Sequence, residues 1–258
     1  MPNKRNVTSP VSLVGWGRSG TTFVTNVFRR HPDFRALGET ADVVFSTYGQ
    51  IERSLAYTGP IRGGRSVDTA ARDAVHAVLV ELYGSGKPRW FQKPIMVPGI
   101  ADTFPSIDAF GTWYWATFRS LFPDGRVLTV VRDPAETVRS SMIRWGGSVE
   151  RNFARLDEML QLLLHRDSLL ERVFTFESLQ ETPEAFIRGV LEFADARFDP
   201  ACLETIKGRF AVNPVSDISA PTYVPGGVAE RYDELRARAM PLPEPPSSLA
   251  SPVTSSGG

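Results

Sequence analysis

With 258 residues, 42% of them hydrophobic, the chain is long enough to bury a substantial core, and its length fits one large domain. Lys+Arg and Asp+Glu balance at 29 each, so no global field favours nucleic acid or an anionic membrane surface as partner, and any basic site must be local. The lone cysteine, Cys202, excludes an internal disulfide, and His31, His76 and His165 lack metal-ligand spacing.

Residues 1–10 lack the apolar core of a signal peptide and are expected to form a flexible N-terminus. No apolar run approaches the ~20 residues that span a bilayer, so a cytoplasmic protein without a membrane span is expected. The pattern then predicts a strand at Val11 to Val14, a glycine-rich turn "GWGRSGTTF" at 15–23, and a helix over Thr21 to Arg30. A second glycine-rich loop, "YTGPIRGGR", covers Tyr57 to Arg65. Helices follow at Val67 to Tyr83, Ile107 to Leu121, Pro134 to Trp145, Val149 to Leu170 and Pro183 to Ala194. Short strands at Trp90 to Gln92, Arg126 to Val131 and Val173 to Phe176 alternate with them. This alternation predicts an α/β fold of three layers, a mainly parallel sheet flanked by helices, as one domain over 11–239. Residues 240–258 hold too many breakers and too few apolar residues to order alone and are expected to be a disordered tail.

The turn carries the first chemistry. Gly15 and Gly20 have the spacing of the glycines in G-x-x-x-x-G-K-[ST], and Thr22 falls on its Ser/Thr, but Thr21 stands where its lysine belongs. Backbone N–H groups in such a strand-to-helix turn converge on an anion at the positive end of the helix dipole. Arg18, inside the turn, offers a planar fork of donors to phosphate or sulfate. An anion smaller than a triphosphate, bound without an obligatory metal, is expected.

A second turn, "VLTVVRDPAETVRSSMIRW" at 127–145, has Arg132 at a strand end, Asp133 as N-cap and Pro134 at the first helical position. Ser140 and Arg144, four apart, share one helical face.

On these two motifs the chain resembles the sulfotransferases that use 3′-phosphoadenosine 5′-phosphosulfate, whose fold is a relative of the P-loop kinases. Their phosphosulfate loop reads [KR]-S-G-T-T, matched by Arg18 to Thr22. The resemblance implies that Gly17, Arg18, Ser19, Gly20, Thr21 and Thr22 hold the 5′-phosphosulfate, and that Arg132, Ser140 and Arg144 hold the 3′-phosphate. It extends over roughly 11–200, including "VFTFESLQETPEAFIRGVLEFADARFDP" at 173–200, where Phe176 replaces the family's tyrosine. The family's flexible closing stretch is expected within Asn213 to Arg231.

Sulfuryl transfer to a hydroxyl requires a proton acceptor. The chain lacks the K-T-H stretch of histidine-based relatives. In "RRHPDFRALGET" at 29–40, Glu39 matches the glutamate used by the tyrosylprotein, heparan and several bacterial types, and the resemblance makes it the base. Lys93, in "WFQKPIM", matches a family lysine beside the oxygen that leaves with phosphate. The implied reaction moves a sulfuryl group to the hydroxyl of a small-molecule, sugar or peptide acceptor, whose site is expected within Thr40 to Arg89 and Asp102 to Trp115. Two alternatives are a P-loop kinase using ATP and Mg²⁺ and a catalytically silent nucleotide-binding module. Trp113, Tyr114 and Trp115 lie in a helical pattern and are expected in the core.

Overall fold

The computed structural model describes residues 9–57, 64–84, 86–94, 98–207 and 218–243. One five-stranded parallel sheet organises them: β1 (Val11–Leu13), β2 (Phe34–Glu39), β3 (Arg89–Lys93), β4 (Arg126–Val131) and β5 (Leu170–Thr175), in the order β2-β3-β1-β4-β5. Because every pairing is parallel, all carboxyl ends of the strands emerge on one side, where the strand-to-helix turns collect.

Side-chain alternation splits the core between the two faces. Along β4, Val127 and Val131 join one apolar cluster while Leu128 and Val130 join the other. The first cluster is covered by α3 (Val67–Tyr83), α5 (Ile107–Leu121) and α7 (Val149–Leu163), the second by α1 (Thr21–Arg30) and α9 (Pro183–Phe193). A helix–sheet–helix sandwich results, as the alternating pattern predicts. Ser66, Ser106, Asp133 and Ser148 cap α3, α5, α6 (Pro134–Trp145) and α7 through their side chains.

Several elements differ from the sequence expectation. Residues 34–39 form β2, a strand hidden from periodicity because only Phe34 and Leu37 of "FRALGE" are buried and it lies at the sheet edge. The stretch after Glu39 is helical: a π-helical turn at Asp42–Ser46 runs into α2 (Thr47–Tyr57). The helix expected to reach Leu170 ends at Leu163, and β5 already starts at Leu170. Phe176 opens α8 (Phe176–Glu181) instead of closing the strand, with the Thr175 hydroxyl accepting the Ser178 N–H.

The stretch expected to close flexibly over the nucleotide, Asn213 to Arg231, overlaps the start of α11 (Gly226–Ala237), which buries Val228, Tyr232 and Leu235 against the first cluster. Its two leading glycines weaken the helical signature. Met240 and Pro241 accept hydrogen bonds from the Arg172 guanidinium, so ordered contacts run past the expected start of the tail. Most of the 57–65 loop, part of 213–231, and the outer parts of both termini lie outside the described residues.

Candidate active site

The β1–α1 turn is built for close approach. A Cβ on Gly15 would lie 2.9 Å from the Thr129 hydroxyl oxygen of β4. Gly20 has φ +90 and a Cβ there would lie 2.9 Å from the Phe176 ring, so both backbone and space demand glycine. Arg18 also adopts positive φ, at 76°, a conformation that costs a non-glycine residue ~1 kcal/mol or more. Unlike the helices capped by Ser66, Ser106, Asp133, Ser148 and Thr175, α1 has no side-chain cap on its first turn. Trp16 anchors the turn from below, donating from its indole nitrogen to the Ser141 hydroxyl at 3.1 Å and packing edge-on against Trp145.

The β4–α6 turn meets the first turn directly. Arg18 Nε donates to Ser140 Oγ at 3.0 Å, and an Arg132 guanidinium nitrogen donates to the Arg18 carbonyl at 3.3 Å. Arg132 reaches Glu136 at 3.1 Å and lies over the Phe176 ring, 4.5 Å from its centroid. Arg139 shares that carboxylate at 3.2 Å and donates to the Ile218 carbonyl. Burial and the Arg144 charge push the Arg18 guanidinium below its ordinary pKa. Burial does the same to Arg132, opposed by Glu136 and Glu177 and reinforced by Arg18 and Arg139. Four arginines thus interact in series, Arg144 with Arg18, Arg18 with Arg132 and Arg132 with Arg139, with Glu136 as the carboxylate bridging the last two.

Glu177 completes this turn. One carboxylate oxygen accepts the Asp133 N–H at 3.1 Å, while the other is buried with no hydrogen-bond partner among the described residues.

A second constellation stands at the ends of β2 and β3. Lys93 Nζ lies 3.1 Å from Glu39 Oε1, with the lysine side chain 9% exposed and the glutamate 62%. Ladder geometry explains the pairing. Ala36 faces Phe91, yet Glu39 faces Lys93, so β2 advances one residue further than β3 between these partners. In regular register Gly38 would sit opposite Lys93; the bulge substitutes Glu39 and re-aims it. A buried polar chain runs from the residue after β2 across β3 to β1: Thr40 Oγ1 donates to Gln92 Oε1 at 3.3 Å, and Gln92 Nε2 donates to Ser12 Oγ at 3.0 Å. The Thr40 N–H also donates to the Lys93 carbonyl.

A sheet whose carboxyl end carries a glycine turn, a basic second turn and a carboxylate–lysine pair agrees with the comparison against known families. The family model described as "Sulfotransferase family" matches residues 10–200. The chain belongs to the sulfotransferase family. Among solved structures, this sulfotransferase is similar to the sulfotransferase domain of the Synechococcus PCC 7002 olefin synthase. Identity is 15%, the alignment covers 93% of this chain and 100% of that one, and the TM-score is 0.57. It is also similar to a sulfotransferase domain from the curacin biosynthetic pathway, at 14% identity, 92% and 100% coverage and a TM-score of 0.55. At such identities the likeness is one of fold. No curated protein sequence matches the chain.

Of the residues singled out in the sequence, Arg18, Arg132, Ser140 and Arg144 come together in one cluster, and Glu39 and Lys93 form a pair on the neighbouring strands. Sequence reasoning missed Arg139, Glu136 and Glu177; the polar spacing 132–136–139 along α6 was the available signal for the first two. The histidines serve elsewhere: His31 and His76 ring nitrogens meet the carbonyls of Arg197 and Leu121, and His165 meets Asp108. Among the described residues, no group of three or more His, Cys, Asp or Glu could hold a metal ion, and no helix is long and apolar enough to cross a membrane.

Proposed function

We propose that this sulfotransferase moves a sulfuryl group from 3′-phosphoadenosine 5′-phosphosulfate to an acceptor hydroxyl, with Glu39 as base. The observation that carries this reading is the Glu39–Lys93 pair, held by the β2 bulge at the same sheet end as the Arg18 turn. An exposed carboxylate beside a buried ammonium suits a group that must receive an acceptor's proton while a neighbouring cation steadies charge on a leaving oxygen.

The donor set fits the nucleotide chemically. Mutual repulsion among Arg18, Arg132, Arg139 and Arg144 is relieved by a polyanion, and the uncapped first turn of α1 offers backbone N–H groups to the same guest. In this reading Gly17 to Thr22 hold the 5′-phosphosulfate, and Arg132, Ser140 and Arg144 hold the 3′-phosphate. When bound, the nucleotide supplies an S–O bond to phosphate that breaks, its electron pair leaving on the phosphate, as the acceptor oxygen bonds to sulfur. Glu39 takes the acceptor's proton. Lys93 and Arg18 offset the negative charge on the departing side. The fold's kinship with P-loop kinases and a cytoplasmic setting belong to the same proposal.

Titration calorimetry with adenosine 3′,5′-bisphosphate, with and without Mg²⁺, tests it. Metal-independent binding of the bisphosphate in preference to ATP is expected, together with loss of turnover in Glu39→Gln. Preference for ATP with Mg²⁺ would transfer the protein to the kinase reading.

A further inference from the structure

A cavity of about 430 Å³ opens beside α2, downstream of Glu39, in a volume range typical of small-molecule sites. Ser46, Gly49, Gln50 and Arg53 line one side at i, i+3, i+4 and i+7, which is one face of a helix. Phe104 and Trp113 form the opposite side. The face runs ~10 Å along the axis at ~1.5 Å per residue.

Gly49 is the telling residue. It sits inside α2, where glycine is less favourable than alanine. Neither backbone nor crowding requires it: its φ is not positive, and an added Cβ would meet only Trp113 ring carbons, at 3.5 Å and 3.9 Å, an ordinary contact. What glycine preserves is open space on its own side of the cavity: a side chain longer than alanine's, its Cβ already touching the edge of the Trp113 ring, would have to turn into the volume that Gly49 lines.

One wall of the cavity is linked by side-chain contacts to the end of the strand that carries Lys93. Phe45, on the helical turn that starts just after Thr40, stacks on Tyr114 with centroids 4.2 Å apart. The Tyr114 hydroxyl donates at 3.1 Å to the carbonyl of Pro94, next to Lys93. Tyr114 and Trp115 are core residues, as the helical pattern predicts, whereas Trp113 turns to the cavity. Charge at the far end is specific. Glu52 is engaged by the Trp113 indole nitrogen at 3.3 Å, while exposed Arg53 forms no ion pair among the described residues.

The geometry points to this cavity as the acceptor site, taking a flat, apolar, elongated molecule with its hydroxyl toward Glu39 and an anionic group at Arg53. The acceptor role rests on the sulfuryl-transfer reading above; the binding site and its ligand class rest on the cavity alone. Trp113 and Phe104 receive the planar body, Gly49 leaves room for it, and Arg53 pairs with the remote charge.

The test uses 4′-hydroxybiphenyl-4-carboxylate and its neutral carboxamide as probes, titrated into the full chain and followed by tryptophan fluorescence and calorimetry. Wild type is expected to bind the carboxylate about tenfold tighter than the carboxamide, a preference that Arg53→Ala abolishes. Gly49→Leu fills the hollow and is expected to weaken both probes by about tenfold or more, while Gly49→Ala, whose Cβ is tolerated, reports that the helix remains intact. Affinity for adenosine 3′,5′-bisphosphate should stay unchanged in all three variants. No probe binding by wild type, equal binding of the two probes, or unimpaired binding by Gly49→Leu would overturn the inference. Failure of wild type to bind the bisphosphate brings down the sulfuryl-transfer reading instead, and the probe titrations then still decide the pocket.

Discussion

Lys93 and Glu39 are register partners across the β2–β3 ladder, and their charged groups meet at 3.1 Å across an irregularity in which β2 carries one residue more than β3. With the carboxylate 62% exposed, such a pair contributes at most ~1 kcal/mol to stability. Its value is positional. Glu39→Gln should therefore leave the thermal midpoint nearly unchanged and keep bisphosphate affinity, while turnover falls about a hundredfold or more. Steady-state transfer of labelled sulfate, set beside a melting curve, checks this; unchanged turnover would remove Glu39 as the base.

Arg132 donates to both the Arg18 carbonyl and Glu136 while stacking on Phe176, uses that suit a planar guanidinium and not an ammonium. Arg132→Lys should weaken the bisphosphate about tenfold or more, since a fork of donors is replaced by a point charge. Calorimetry of the variant would show an unaltered affinity if Arg132 does not touch the nucleotide.

Gly20→Ala places a side chain at φ +90 and within 2.9 Å of the Phe176 ring. Chemical denaturation should reveal a loss of ~1–3 kcal/mol, and bisphosphate binding should weaken in parallel because the turn itself shifts. A variant as stable as wild type would contradict the strain argued for this turn.

Glu177 grips the Asp133 N–H with one oxygen and leaves the other buried. Glu177→Ala should loosen the β4–α6 turn and reduce bisphosphate affinity, whereas Glu177→Gln retains an acceptor oxygen and should restore most of it. Equal affinities for the two variants would assign the residue a packing role only.

Burial, followed by the Asp199 charge, pushes the Cys202 thiol from 9.0 up to about 11, with Arg30 partly opposing. A raised thiol pKa means the native state holds its proton where the unfolded state has lost it. Stability from this group is complete below pH 9.0 and declines as pH rises toward about 11. Native protein should react slowly with a thiol reagent at pH 8 and rapidly once denatured, a contrast read by absorbance.

Much of the architecture was legible because helix signals are local. Ser106, Asp133 and Ser148 mark helix starts, and α1, α3, α5 and α6 fall where the spacing of apolar residues places them. The two strand-to-helix turns were legible for a related reason: Gly20 and the Arg132–Asp133–Pro134 run encode backbone geometry residue by residue. Edge strand β2 was not, because pairing with β3 stabilises it more than its own composition does. The arginine network was also obscured. That Arg18 would meet Ser140, 122 positions further on, depends on the two turns lying side by side, whereas Arg139 and Glu136 are neighbours three apart on α6.

The extra residue in β2 makes the chemistry of this protein a matter of counting. Side chains alternate along a strand, so deleting Gly38 would restore regular pairing up to Lys93 while still leaving a glutamate as its neighbour, now without the kink that directs it. The shortened chain would keep its strand-to-helix turns and both members of the Glu39–Lys93 pair. It would differ in orientation alone, separating the possession of a carboxylate from the possession of an aimed one.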